Sequence, residues 1–164
     1  MKDATIPRSI LFVCTGNICR SPTAEGVLRQ ALTDAGRIGD FTLDSAGVDS
    51  HHIGEAPDSR SQETAMRKGV DIGDLRARNV ASSDFARFDV ILAMDESHMK
   101  ALKRMAAKLP HDKVTAEIAL YLPYAGITHR TEVPDPYYGT ARDFNDVYAL
   151  VNEATTGLFS RLRI

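Results

Sequence analysis

The chain has 164 residues, 43% of them hydrophobic, with a formal net charge of −2. That is one domain's worth of chain (1–164) with enough apolar residues for a core, and the near-neutral balance argues against general nucleic-acid binding, which asks for a strongly basic patch. No apolar run approaches the roughly 18 residues of a membrane span, and residues 1–8 form a short polar extension without the apolar centre of a secretory signal.

Residues 10–13, Ile-Leu-Phe-Val, are continuously apolar, which predicts a strand buried on both faces. The run ends at Cys14, and Thr15, Gly16, Asn17, Ile18 and Cys19 lead to Arg20, Ser21 and Pro22. Gly16 and Asn17 tolerate backbone angles that turn successive N–H groups into one concavity. Ser21 suits an N-cap and Pro22 the first helical position, so a helix is predicted over 22–35. Val27, Leu28, Ala31, Leu32 and Ala35 then recur at helical spacing. The helix therefore aims its unpaired N–H groups and positive dipole end at the loop.

Such a site attracts a dianion. Arg20 offers two parallel N–H bonds to two phosphate oxygens. The same positive field favours the thiolate of Cys14, and a thiolate held beneath a bound phosphate is an attacker at phosphorus. Plainer readings compete. A buried cysteine is more often a small hydrophobe than a nucleophile. Two cysteines are too few for a closed zinc site without two nearby histidines, and the C-x-x-C redox spacing is absent. A cysteine and an arginine with five residues between them, placed between a strand and a helix start, are the context that a phosphate loop demands.

Downstream, strands are predicted over 41–45, 90–94 and 115–120, and helices over 58–68, 95–108 and 140–161. The alternation predicts an α/β fold: a four-stranded parallel sheet with helices on both faces and the reactive loop at the carboxyl end of the first strand. In 95–108, Met99, Leu102 and Ala106 share one face, while Lys100, Lys103, Arg104 and Lys108 read as a solvated face. The adjacent His51 and His52 lack a third ligand, so neither a metal nor any other cofactor is expected. Near the C-terminus, Asp135 lies between Pro134 and Pro136 in a stiff loop, followed by Tyr137 and Tyr138. An acid there would supply a proton to a leaving alkoxide or phenoxide, with the tyrosines walling a pocket; taken alone, a surface turn is the plainer reading.

Taken together, Cys-Thr-Gly-Asn-Ile-Cys-Arg-Ser at 14–21 and Asp-Pro-Tyr-Tyr-Gly at 135–139 resemble the low-molecular-weight protein tyrosine phosphatases. The segments at 43–47 and 84–97 are similar to that family too, so the likeness spans nearly the whole chain. The resemblance implies a compact α/β domain that hydrolyses aryl phosphomonoesters, above all phosphotyrosine in proteins, through a phosphocysteine intermediate. It implies Cys14 as nucleophile, Arg20 as phosphoryl clamp and Asp135 as general acid, then base. The backbone from Thr15 to Arg20 corresponds to the phosphate cradle, which phosphate or vanadate would block. Asn17, Ser21 and Ser45 correspond to a supporting polar network, and Cys19 to a second cysteine that traps oxidised Cys14 as a disulfide.

Two departures stand out. His51 occupies a wall position where the family often carries Trp or Tyr, and a histidine titrates near neutral pH. Leu75 stands where many members have a histidine, so that part of the network is expected to be missing. An arsenate reductase on the same fold would need further cysteines downstream of Cys19, and the chain has none. A pure phosphotyrosine-binding module would need neither the thiol nor Asp135. A hydrolase of small, non-protein phosphoesters stays open, because pocket depth and wall chemistry set substrate choice. A thiolate enzyme with two cysteines fits the cytoplasm better than a secreted disulfide framework.

Overall fold

The computed structural model describes residues 6–164; of the expected N-terminal extension, residues 1–5 lie outside the described residues. Four strands, β1 (Ser9–Cys14), β2 (Thr42–Gly47), β3 (Val90–Ala93) and β4 (Glu117–Leu120), form one sheet in the order β2-β1-β3-β4. All three pairings are parallel. Among the described residues six α-helices accompany them: α1 (Arg20–Asp34), α2 (Ser59–Met66), α3 (Asp84–Arg87), α4 (Glu96–Ala107), α5 (Tyr121–Tyr124) and α6 (Ala141–Leu162). The expected α/β architecture is what the chain adopts.

The alternation along β1 explains the layering. Ile10, Phe12 and Cys14 point into one core with Val27, Leu28 and Leu32 of α1 and Val147, Val151 and Leu158 of α6. Leu11 and Val13 point into a second core with Phe85, Phe88, Met99 and Leu102. A strand that must bury both faces has no polar position to spare, which is why the segment reads as an unbroken apolar run. Phe12 meets Tyr121 edge-on, with ring centroids 5.6 Å apart. Among the described residues, no helix is long and apolar enough to cross a membrane.

Of the boundaries that differ from expectation, three have a clear local reason. The first helix begins at Arg20 with Cys19 at its N-cap, and no side chain caps it. Ser21 is therefore inside the helix, its hydroxyl already engaged with Cys14 and Asn17. Pro22 sits third rather than first, still within the turn that needs no intrahelical N–H donor. Phe41 stays out of β2 because its N–H closes a 3-10 turn (Ile38–Asp40) onto Ile38. Thr115 and Ala116 stay out of β4 because both N–H groups donate to the carbonyl of Phe85. The single-turn helices α3 and α5 are too short for periodicity to reveal.

β1 lies inside the sheet, and the chain moves from it first to β2 on one side and later to β3 on the other. The loop after β1 thus leaves the sheet where the strand order switches direction, the crevice in which open α/β sheets hold ligands.

Candidate active site

The loop from Cys14 to Arg20 wraps over the end of β2. Cys14 pairs with Gly47 in register, and a Cβ at Gly47 would lie 2.5 Å from the carbonyl oxygen of Thr15 and 3.1 Å from the backbone N of Asn17. Only glycine lets the loop cross this close. Asn17 adopts φ +59°, a left-handed conformation in which asparagine is at home. Its side chain fixes that turn: Nδ2 donates to Ser21 Oγ (2.8 Å) and to Ser45 Oγ (2.9 Å), and Oδ1 accepts from the backbone N–H of Arg78 (3.0 Å).

The network has a direction. Ser45 Oγ accepts from Asn17 and donates to Glu25 Oε1 at 2.7 Å. Ser21 Oγ also accepts from Asn17, which leaves its proton for Cys14 Sγ, 2.9 Å away. A hydroxyl donor on sulfur stabilises the anionic form over the thiol. Asn17, Ser21 and Ser45 are all buried behind the loop and do not line the cavity; they act on it from the rear. Burial pushes the Glu25 carboxyl above the ordinary carboxylate range, against the pull of the Ser45 hydrogen bond. Leu75, at the position expected to lack a histidine, packs against the core, and the network closes on Glu25.

Arg20 opens α1 and is 2% exposed. Nη1 donates to Asp95 Oδ2 (2.8 Å) and to the carbonyl of Val133 (3.0 Å), while Nη2 donates to Thr15 Oγ1 (3.2 Å) and lies 3.7 Å from Asp135 Oδ2. Burial works to raise the Asp95 carboxyl, yet hydrogen bonds from Ser97 and Arg20 hold it below the usual range. Asp95 also caps α4, accepting from the N–H groups of Ser97 and His98. One carboxylate therefore ties the clamp to the start of α4. His98, fully buried, accepts the Asp95 N–H at Nδ1 (3.2 Å) and meets Thr15 Oγ1 at Nε2 (2.8 Å). Burial, and then the charge of Arg20, push its pKa down to about 4, so this contact with Asp95 is made by a neutral imidazole and not by an ion pair.

The cavity over the loop has a volume of about 530 Å³ and is lined by Cys14, Thr15, Gly16, Ile18, Cys19 and Arg20 at its base. Asp135, Tyr137, Tyr138, Asp49, His51 and His52 form its walls. Cys19 is buried, and burial pushes its thiol up to about 12. Tyr137 packs edge-on against Tyr138, centroids 4.9 Å apart, and Tyr138 is 94% exposed at the rim. His51 pairs with Asp49 at the solvent edge. The histidine that touches the loop is His52: its ring is where a Cβ on Gly16 would fall, it pairs with Glu55, and it lies 6.1 Å from Tyr137. Glu25, His52, Asp95 and His98 are site residues that the sequence reading passed over. The signal for Asp95 and His98 was present as an Asp followed three residues on by a polar side chain at a helix start.

A buried cysteine at the end of an interior parallel strand, followed by a tight loop, a helix N-terminus and a buried arginine, is the architecture of a phosphate-loop α/β protein. Residues 9–164 match the family model described as low molecular weight phosphotyrosine protein phosphatase. The chain is 40% identical over 142 residues to the low molecular weight phosphotyrosine protein phosphatase of Gallus gallus, covering 86% of this chain and 87% of that one. The crystal structure of YfkJ from Bacillus subtilis superposes with a TM-score of 0.85 at 35% identity, covering 98% of both chains. Vibrio vulnificus Wzb, in complex with benzylphosphonate, superposes at 0.76 with 31% identity, covering 92% of this chain and 95% of that one. The chain belongs to the low molecular weight phosphotyrosine protein phosphatase family. It is a phosphoric monoester hydrolase acting on phosphotyrosine, and its substrates are phosphoproteins.

Proposed function

We propose that this protein carries out two successive displacements at phosphorus, with Cys14, Arg20 and Asp135 as its catalytic residues. In the first, Cys14 sulfur attacks the phosphoryl group of a phosphotyrosine. The bond to the phenolic oxygen breaks, and Asp135 gives that oxygen a proton. In the second, Asp135 takes a proton from water, whose oxygen displaces sulfur and releases inorganic phosphate. Arg20 and the N–H groups of residues 15–20 hold the equatorial oxygens through both steps, where charge spreads in the transition state. Ile18, Tyr137, Tyr138 and His51 contact the aryl ring. On oxidation of Cys14 by a peroxide, Cys19 closes a disulfide that thiols reopen.

The observation that carries this reading is the Ser21 hydroxyl, 2.9 Å from Cys14 Sγ with its acceptor side taken by Asn17. A packing cysteine has no use for a donor prepared for a sulfur anion. The aromatic wall favours an aryl phosphoester over a small aliphatic one, and the absence of any cysteine beyond Cys19 disfavours an arsenate reductase relay. Phosphate and vanadate are the expected inhibitors, in keeping with the benzylphosphonate complex of Vibrio vulnificus Wzb. The protein is expected to work in the cytoplasm, where Cys14 and Cys19, both unpaired, stay reduced.

The test compares phosphotyrosine peptides, phosphoserine peptides and small aryl phosphates, with and without vanadate. Turnover of phosphotyrosine and aryl substrates, lost in Cys14→Ser with phosphate binding retained, is the expected result. Appreciable turnover by Cys14→Ser removes the nucleophile assignment.

A further inference from the structure

His98 is a wholly buried titratable residue that the two displacements above do not use. Its side chain spans from the N-cap of α4 to the second residue of the phosphate loop. A backbone N–H can only donate, so the bond from Asp95 N fixes Nδ1 as the acceptor and leaves the ring proton on Nε2. Nε2–H therefore donates to Thr15 Oγ1. Arg20 Nη2 donates to the same oxygen at 3.2 Å. A hydroxyl has two lone pairs and one proton. Both lone pairs of Thr15 are then committed, and the proton has no partner among the groups that hold the oxygen.

Thr15 lines the cavity beside Cys14, Arg20 and Asp135. Its hydroxyl and the Asp135 carboxylate flank the same guanidinium nitrogen, at 3.2 and 3.7 Å. We propose that Thr15 binds substrate through its side chain as well as its backbone, its hydroxyl donating to a phosphoryl oxygen on the Asp135 side of the bowl, and that His98 is the positioning residue that holds the proton there. The proposal deepens the phosphatase reading and rests on it. The backbone N–H groups of the loop are fixed donors. Thr15 adds a side-chain donor whose direction is set from α4, the helix whose N-cap, Asp95, also holds Arg20. A threonine with a free rotor would spend part of its time donating elsewhere. Two donors on its oxygen remove that freedom before substrate arrives, so the hydrogen bond forms without reorganisation as charge builds on the phosphoryl group.

The test is a set of variants assayed on one aryl phosphate, with vanadate as inhibitor. Thr15→Val keeps the shape and removes the hydroxyl; kcat/KM is expected to fall by about ten-fold or more, the scale of one hydrogen bond to a charged acceptor, and vanadate to bind correspondingly more weakly. Thr15→Ser keeps the hydroxyl and should stay within about three-fold of the parent. His98→Asn keeps an acceptor for the Asp95 N–H and loses the reach to Thr15, so it should lower kcat/KM in the parent and add nothing in Thr15→Val. Thr15→Val within two-fold of the parent overturns the proposal, as does an equal fall in Thr15→Ser. Additive losses in the double variant overturn the positioning role of His98, since a merely structural histidine acts independently of Thr15. If His98→Asn does not fold, the valine and serine arms still decide whether the hydroxyl matters. A parent protein inactive on every aryl phosphate would instead sink the phosphatase reading itself, and the proposal with it.

Discussion

Acid should unfold this protein in part through His98, and the size of the effect follows from its surroundings. The imidazole is fully buried, and burial followed by the Arg20 charge lowers its pKa from 6.5 to about 4. The unfolded chain binds the proton near its ordinary value while the folded chain refuses it. Between those two values the unfolded state holds more protons, so stability rises with pH. The contribution is complete above about pH 6.5 and is lost as pH falls towards 4, to a total of about 3 kcal/mol at about 1.4 kcal/mol per pKa unit. Between about pH 7.5 and about pH 5 the expected loss is about 2 kcal/mol. Urea unfolding of the parent and of His98→Asn at the two pH values isolates it, because every other titrating group is common to both. The parent should lose about 2 kcal/mol more than the variant over that interval. Equal losses would mean that the imidazole takes up its proton in the folded state, and the neutral bridge from Asp95 to Thr15 would fall with that result.

Replacing Asp135 with Ala should cost most where the leaving group is poor, by about 10²-fold or more for an unactivated phenol and far less for an activated one; equal losses across a leaving-group series would remove Asp135 from proton transfer. Burial holds the Cys19 thiol up at about 12, so iodoacetate at neutral pH should label Cys14, with protection by phosphate, and leave Cys19 untouched until the chain unfolds; peptide mapping that finds both labelled alike would refute this. Gly47→Ala would place a Cβ 2.5 Å from the Thr15 carbonyl, a contact with backbone that cannot swing aside. It should lower stability by about 1–3 kcal/mol in urea melts and weaken phosphate binding as well. A variant that keeps full phosphate affinity would show that the loop is not seated on β2.

The legible part of the fold was the part set by short-range pattern. The unbroken apolar run before Cys14 announced a doubly buried strand, and the two cores on either side of β1 are its consequence. The helices α4 and α6 lie within a residue of expectation at either end, and a side chain fixes each start: Asp95 accepts from Ser97 and His98, and Asp143 accepts from the Thr140 N–H at 2.6 Å. The start of α1 was misread because Ser21 looks like a cap in sequence. In the structure Cys19 holds the N-cap and Ser21 lies inside the first turn, where its hydroxyl accepts from Asn17 and donates to Cys14.

The site divides along the same line. Cys14, Arg20 and the loop between them were readable because a phosphate cradle needs its donors contiguous in the chain. The residues that shape the loop from behind come from elsewhere: Asp95 lies 75 positions from Arg20, His98 lies 83 from Thr15, and Arg78 lies 61 from Asn17. No spacing rule joins such pairs, and each sits in a segment with an ordinary explanation as a helix cap or strand approach. Leu75 makes the point most sharply. Read alone, an apolar residue there implied a gap in the polar network. Leu75 packs against the apolar core as such a residue should, and the network ends instead on Glu25, one helical turn past Ser21 on α1, which accepts from Ser45 at 2.7 Å. Burial pushes the Glu25 carboxyl above the usual range, and it accepts the hydrogen bond from Ser45. Arg20 and the N-terminus of α1 remain the positive groups at the base of the cavity.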